Sequence, residues 1–243
     1  MSQTDHFDAV APRYDALRSA GDWSGLHGTL ADVGELRGTR LLDIGCGTGA
    51  HLLVFRDEYG CKVAGIDASG RMLAEAHAKL PDADLRQGLA EELPFTDGAF
   101  DAALMMLVVQ HLDRPRAFGE ARRVLAPRGR LLVHTPDPAG FDHGWLAPFF
   151  PSYVDVERAR FPTADRLTEE LRAAGFSSVS TTQLSVPRSW SREYAIQRIR
   201  DRYASTFDLL PDDEYEAGLA RAERELGDPV SYTLRSLVVR AGG

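Results

Sequence analysis

The run Leu41-Leu42-Asp43-Ile44-Gly45-Cys46-Gly47-Thr48-Gly49-Ala50-His51-Leu52 constrains this chain more than any other segment. An apolar strand pattern leads straight into three closely spaced glycines, and a helical pattern follows. Glycine lets a backbone turn sharply and approach a ligand with no side chain in the way. The start of the helix then presents unpaired N–H groups and the positive end of its dipole. This combination predicts a cofactor turn but does not name the cofactor. The spacing Gly45-x-Gly47-x-x-Ala50 also fits the dinucleotide fingerprint.

A second strand pattern narrows the choice. It covers 62–66 and ends in Asp67, 22 positions after Gly45. An acid at a strand end, about twenty residues after such a turn, can accept both hydroxyls of an adenosine ribose. The alternative role for Asp67, capping the next helix, suits Ser69 better.

Further along, short apolar runs alternate with helical patterns, as in a parallel sheet covered by helices on both faces. Strands are expected at 40–44, 62–66, 84–87, 100–107, 130–134, 177–183 and 231–240. Helices are expected at 49–58, 69–80, 116–125 and 163–174. The last ends at Gly175, a good left-handed cap. Residues 1–38 read as N-terminal cap helices. Two long connections, 135–162 and 185–228, read as lids over a substrate pocket, since long connections in a compact domain usually carry function. Within the second, Tyr194, Ile196, Ile199, Tyr203 and Phe207 suggest a helix over 190–207. The whole, at 243 residues and 44% hydrophobic, suits a single α/β domain.

Composition excludes several classes. The net charge is −8 with no basic cluster, against a nucleic-acid partner. Two cysteines, Cys46 and Cys61, make neither a disulfide framework nor a zinc knuckle, and no metal site is expected. The longest uncharged apolar run, 102–109, is far too short for a membrane span. With no basic, apolar leader at the N-terminus, the chain reads as cytoplasmic.

Four segments in order, LLDIGCGTG, GIDASGRML, GLAEELPFTDGAFD and HLDRPRAFGEARRVLAPRGRLLV, resemble the class I S-adenosylmethionine-dependent methyltransferases. Within that class they are most similar to the small-molecule branch that includes ubiquinone- and menaquinone-type enzymes. The likeness covers about residues 7–134. It implies a Rossmann-like three-layer sandwich, with a seven-stranded, mostly parallel sheet of order 3-2-1-4-5-7-6 whose last strand is antiparallel. The implied cofactor is S-adenosyl-L-methionine, with S-adenosyl-L-homocysteine as product. Carried over by position, Asp43, Gly45, Cys46 and Gly47 would hold the methionine moiety and Asp67 the ribose. Ala68, Met72, Ala90 and Glu91 would surround the adenine. Tyr14 would close over the cofactor, and Met106 and Leu107 would lie beside the sulfonium. Leu89 departs from the pattern, standing where many relatives have an Asp for the adenine amino group, so that hydrogen bond would come from Glu91, a main-chain carbonyl or water; Arg128 replaces a common glycine.

The implied activity is in-line methyl transfer to a small molecule, in which alignment supplies most of the rate. His111, just past the fourth strand, is the first candidate for a general base; His143 is a second, and His134 a third. A purely structural His111, tying its loop to the next helix, is the alternative. The Asn/Asp-Pro-Pro-Tyr signature of certain amine methylases is absent, which favours an oxygen, carbon or aromatic nitrogen acceptor. Phe141, Trp145, Phe149, Phe150, Tyr153, Trp190, Tyr194 and Tyr203 suit an aromatic or apolar substrate, unless they only pack the lids. Arg188, Arg192 and Arg198 suit a substrate anion or a solvated helix face. A non-catalytic binder of S-adenosylmethionine or S-adenosylhomocysteine is the alternative function, and a nucleotide-dependent oxidoreductase a third.

Overall fold

The structure, a computed structural model, describes residues 3–17 and 25–243; the side chains of residues 3–6, 17 and 143 lie outside that description. The run after Arg40 forms β1 (Arg40–Ile44), buried from Leu41 onward. β2 (Lys62–Asp67) and β4 (Phe100–Met106) flank it in parallel, with β3 (Asp84–Gln87) beyond β2 and β5 (Leu125–Pro136) beyond β4. With β6 (Ser178–Trp190) and β7 (Val230–Gly242) the sheet reads β3-β2-β1-β4-β5-β7-β6, and β7 is the antiparallel strand. This is the Rossmann-like order expected from the sequence.

The strand sequences explain the arrangement. A strand covered on both faces needs a continuous apolar run, and Ala102–Met106 in β4 is buried at every position. Asp101, at the entry to β4, stays outside and takes the Arg40 guanidinium through both carboxylate oxygens, at 3.1 and 2.7 Å.

The crossover helices bury one stripe each. Among the described residues the helices begin with α1 (Gln3–Val10), α2 (Tyr14–Leu17), α3 (Leu26–Val33), α4 (Ala50–Tyr59) and α5 (Gly70–Lys79). They continue with α6 (Arg114–Val124), α7 (Tyr153–Arg160), α8 (Ala164–Ala173), α9 (Arg192–Arg200) and α10 (Asp212–Glu225). Ser69 caps α5 by accepting the Met72 N–H at 3.0 Å, which leaves Asp67 out of that role. Gly175 takes φ +96° after α8, as a C-terminal glycine should. Of the expected N-terminal cap, residues 1, 2 and 18–24 lie outside the described residues.

The chain divides into two compact units, the first being Met1–Thr135, Ala164–Thr182 and Val238–Gly243, the second Pro136–Thr163 and Gln183–Leu237. The first carries β1–β5, with Leu41, Leu42, Phe55, Leu104 and Phe118 at its centre. The second centres on Leu146, Phe150, Ile199, Phe207, Leu210 and Tyr215. Phe150 is fully buried there, so it is core and cannot line an open pocket.

Three boundaries differ from expectation. β5 begins at Leu125, directly from α6, and β6 continues to Trp190, passing through Pro187. Proline is tolerated there because β6 is an edge strand. The helix expected over 190–207 stops at Arg200; Arg202 takes φ +47°, and Ser205–Leu209 forms a 3-10 turn.

Candidate cofactor site

Asp43 and Asp67 sit one residue from the carboxyl ends of β1 and at the end of β2, on neighbouring parallel strands. Between them the chain turns through Gly45 (φ +79°), Gly47 (φ +53°) and Gly49 (φ +71°) before entering α4. All three conformations are ones that side-chain-bearing residues rarely adopt. Gly45 is also crowded: a Cβ there would lie 2.6 Å from Val108 Cγ2. Gly47 differs, since a Cβ would meet nothing within 4 Å, so open space lies beside the turn. The turn is pinned to β2, with the Gly45 and Cys46 N–H groups both donating to the Ile66 carbonyl, at 2.8 and 3.0 Å.

Asp67 accepts the Gly47 N–H at 2.8 Å on Oδ2 and the Ser69 N–H at 2.9 Å on Oδ1. A carboxylate has about four acceptor positions, so two remain for a ligand. Burial raises its pKa, partly countered by those backbone donors, with the Asp8 charge adding to the rise.

Asp43 is the more unusual group. It is 1% exposed, and neither carboxylate oxygen has a hydrogen-bond partner. Burial, helped by the Asp67 charge, pushes its carboxyl up to about 7. An orphaned buried carboxylate is costly unless a cation completes it. Here no described side chain does, so the site suits a ligand bringing an ammonium. Cys46, buried beside both acids, has its thiol pushed well above the ordinary range, chiefly by burial.

The remaining expected residues fall around this pair. Ala68 is half-buried, and its carbonyl accepts from the Gln87 amide at 3.0 Å. Met72 is buried against Val10 and Ala11, with Phe7 and Tyr14 packed on the same cluster. Ala90 is buried, and Glu91 accepts the Asp113 N–H at 2.8 Å. Met106 is buried at the end of β4, and Leu107 takes a left-handed φ of +54° while its carbonyl accepts from the Gln110 amide at 2.6 Å. A non-glycine residue in that conformation stores strain of the kind that collects at binding sites.

His111 closes a 3-10 turn (Val109–His111) and is half-buried, its ring meeting Phe7 edge-on at 5.4 Å. His134 is buried in β5, and its carbonyl accepts the Leu107 N–H. The His143 side chain lies outside the described residues.

The sequence reading missed the partners that hold this site together. Asp15 accepts from Thr48 Oγ1 and from Lys79, and Lys79 also donates to the Thr48 carbonyl at 2.9 Å. Asp8 accepts from Ser69 Oγ. The N-terminal helices are thereby tied to the glycine turn and to α5. Arg123 donates to the carbonyls of Leu93 (2.9 Å) and Phe95 (2.8 Å), and to Asp97 and Glu120. It organises the whole loop after β3. Apart from Arg123–Glu120, three positions apart on α6, no local pattern reveals these pairs, because each joins residues tens of positions apart.

In the second unit, Arg198 is buried among aromatic rings, 4.2 Å from the Tyr203 centroid and 4.8 Å from that of Trp190, and it donates to the Tyr194 hydroxyl at 3.0 Å. Arg192 donates to the Glu223 carbonyl. Both arginines therefore have structural partners of their own.

A parallel sheet with a glycine turn at β1 and acids at the ends of β1 and β2 defines a nucleoside-cofactor domain. A methyltransferase-domain family matches residues 42–133. The chain is 33% identical over 200 residues to demethylmenaquinone methyltransferase from Thermus thermophilus, covering 70% of this chain and 91% of that one. It is 34% identical over 161 residues to demethylmenaquinone methyltransferase from Renibacterium salmoninarum, covering 64% of this chain and 65% of that relative. The chain therefore belongs to the S-adenosylmethionine-dependent methyltransferases and resembles those acting on quinones. Its fold matches Haemonchus contortus phosphoethanolamine N-methyltransferase 2, solved with phosphomonomethylethanolamine and S-adenosylhomocysteine, with a TM-score of 0.66 at 21% identity, over 100% of this chain and 61% of that one.

Proposed function

We propose that this chain transfers a methyl group from S-adenosylmethionine to a small aromatic or apolar acceptor, holding the cofactor between Asp43 and Asp67. The observation that carries this reading is the Asp43 carboxylate, buried and without a hydrogen-bond partner. It complements an amino-acid ammonium, while Asp67 has acceptor capacity left for two ribose hydroxyls. Met72, Ala68, Ala90 and Glu91 supply the surroundings of the base, and Gly45, Cys46 and Gly47 the backbone beside the methionine moiety. Tyr14 covers the site from the N-terminal helices, and Met106 and Leu107 border the reacting centre.

When bound, the cofactor supplies an electrophilic methyl group on a sulfonium. The chain's own task is then alignment and exclusion of water, worth up to roughly 7–11 kcal/mol of barrier when geometry is ideal. A hydroxyl acceptor must also lose a proton, and His111 is the side chain proposed to take it. The segments 135–162 and 185–228 are proposed to select the acceptor; their aromatic composition supports a flat substrate. The quinone-methylating relatives make a demethylmenaquinol-type ring the first acceptor to assay. Two buried, unpaired cysteines support a reducing, cytoplasmic setting, and among the described residues no helix is long and apolar enough to cross a membrane.

Calorimetry with S-adenosylhomocysteine tests the site. Asp67→Ala is expected to weaken binding about 100-fold, the loss of two charge-assisted hydrogen bonds at about 1.5 kcal/mol each. Unchanged affinity in that variant removes the proposed geometry.

A further inference from the structure

We propose that Gln110 positions the methyl acceptor, its amide oxygen taking a hydrogen bond from an O–H or N–H group of that molecule. The inference rests on the cofactor placement proposed above, between Asp43 and Asp67. With the nucleoside at the end of β2 and the ammonium at β1, the carboxyl edge left for a second substrate belongs to β4 and β5. The strand order β3-β2-β1-β4-β5 reverses direction between β1 and β4, where open α/β sheets form their ligand crevice. The segment after β4 closes directly on the glycine turn, with Val108 Cγ2 lying 2.6 Å from where a Gly45 Cβ would be.

Gln110 stands in this segment, within the 3-10 turn Val109–His111. Its Nε2 donates to the Leu107 carbonyl at 2.6 Å, which fixes the orientation of the amide, since the reverse would set two acceptors against each other. Oε1 is thereby turned away from Leu107, and it is buried with no hydrogen-bond partner. Leu107, to which the amide is tied, holds a left-handed φ of +54°, a conformation that leucine keeps only under constraint. On the adjacent β5, Thr135 Oγ1 is likewise buried and without a partner. Buried polar atoms in folded proteins are nearly always matched. Two left open at the same end of neighbouring strands therefore call for a polar ligand there. The amide takes no proton, so its part is orientation, distinct from the base role proposed for His111.

The test measures binding of 1,4-dihydroxynaphthalene and of 1,4-dimethoxynaphthalene, the same ring without donors, by anaerobic calorimetry on protein saturated with S-adenosylhomocysteine. Wild type, Gln110→Met and Gln110→Glu are compared, with circular dichroism checking the fold. In wild type the dihydroxy compound is expected to bind at least about tenfold tighter, the worth of meeting a buried acceptor. Gln110→Met keeps the side-chain length without a strong acceptor, and the preference should fall to about threefold or less. Gln110→Glu keeps an acceptor oxygen, and the preference should persist, which a merely structural role for the amide does not predict. A smaller wild-type preference overturns the proposal, as an ordered water closing the gap would give. So does a preference that survives Gln110→Met or is lost in Gln110→Glu, or a cofactor-loaded wild type that binds neither compound. Failure of wild type to bind S-adenosylhomocysteine at all overturns the cofactor placement instead.

Discussion

A carboxylate buried as deeply as Asp43 ionises reluctantly, and this makes the ligand-free protein and its complex respond to pH in opposite senses. The folded-state value of about 7 lies above the ordinary 3.8. For an acid raised on folding, the stabilising contribution is complete below 3.8 and is lost as pH rises through about 7. Removing the charge should therefore help the ligand-free protein. Asp43→Asn is expected to be more stable than wild type at pH 8, by between about 1 and 4 kcal/mol, with the difference fading toward pH 4. Urea unfolding at both pH values reads this directly, and equal stability at pH 8 would contradict the burial argument. Binding runs the other way. An ammonium needs the ionised form, so wild-type affinity for S-adenosylhomocysteine should fall between pH 7 and 5, approaching about tenfold per pH unit. In Asp43→Asn both the affinity and its pH dependence should be largely lost. A flat wild-type profile would mean that Asp43 does not meet the ammonium.

At the level of elements, Arg123 decides whether the loop after β3 has one conformation. Its guanidinium meets two carbonyls and two carboxylates, and the Leu93 N–H donates to the same Glu120 at 2.8 Å. Arg123→Met keeps the aliphatic stem and deletes the donors. We expect a loss of about 2–3 kcal/mol, the cost of stranding partly buried acceptors. Proteolysis of 88–98 should accelerate while β1 and β2 stay protected; unaltered cleavage there would show that the loop holds without this hub. Arg123 also shows where sequence legibility ends. The strand–turn–helix unit at 41–52, and the acid closing β2, could be read because their signals lie within a few residues of one another. The distant partners of Arg123 at 93–97, and those of Asp15 and Lys79, could not, because folding alone brings them together. The break in 190–207 was hidden for a similar reason. No glycine or proline marks it; Arg202 leaves the helix, stacks 3.7 Å from the Tyr215 ring centroid and donates to the Phe207 carbonyl at 2.9 Å. Tertiary contacts there outweigh a helical periodicity that Tyr203 and Phe207 seemed to continue.

For the whole molecule, ligand linkage separates a methyl-donor site from a dinucleotide site, the two readings that the glycine turn alone allowed. A ligand that binds only the folded state stabilises it by RT ln(1 + [L]/Kd), about 2.7 kcal/mol at 100 times Kd. For a chain of this size each kcal/mol moves the transition by roughly 2–4 °C, so S-adenosylhomocysteine at that level should raise Tm by about 5–10 °C. NAD should raise it by less than about 1 °C, since without binding the same expression gives no stabilisation. Two compact units need not unfold together, so the location of the protection is more informative than the size of the shift. Hydrogen exchange with S-adenosylhomocysteine bound is expected to slow most at 43–48, 67–70 and 88–91, the strand ends and turn built around Asp43 and Asp67. Gly47 is the sharpest reporter, because its N–H already donates to Asp67 while open space lies on its other side. Protection that misses these three segments, or an equal shift with NAD, would remove the cofactor from the turn and leave the acid pair without the ligand that explains it.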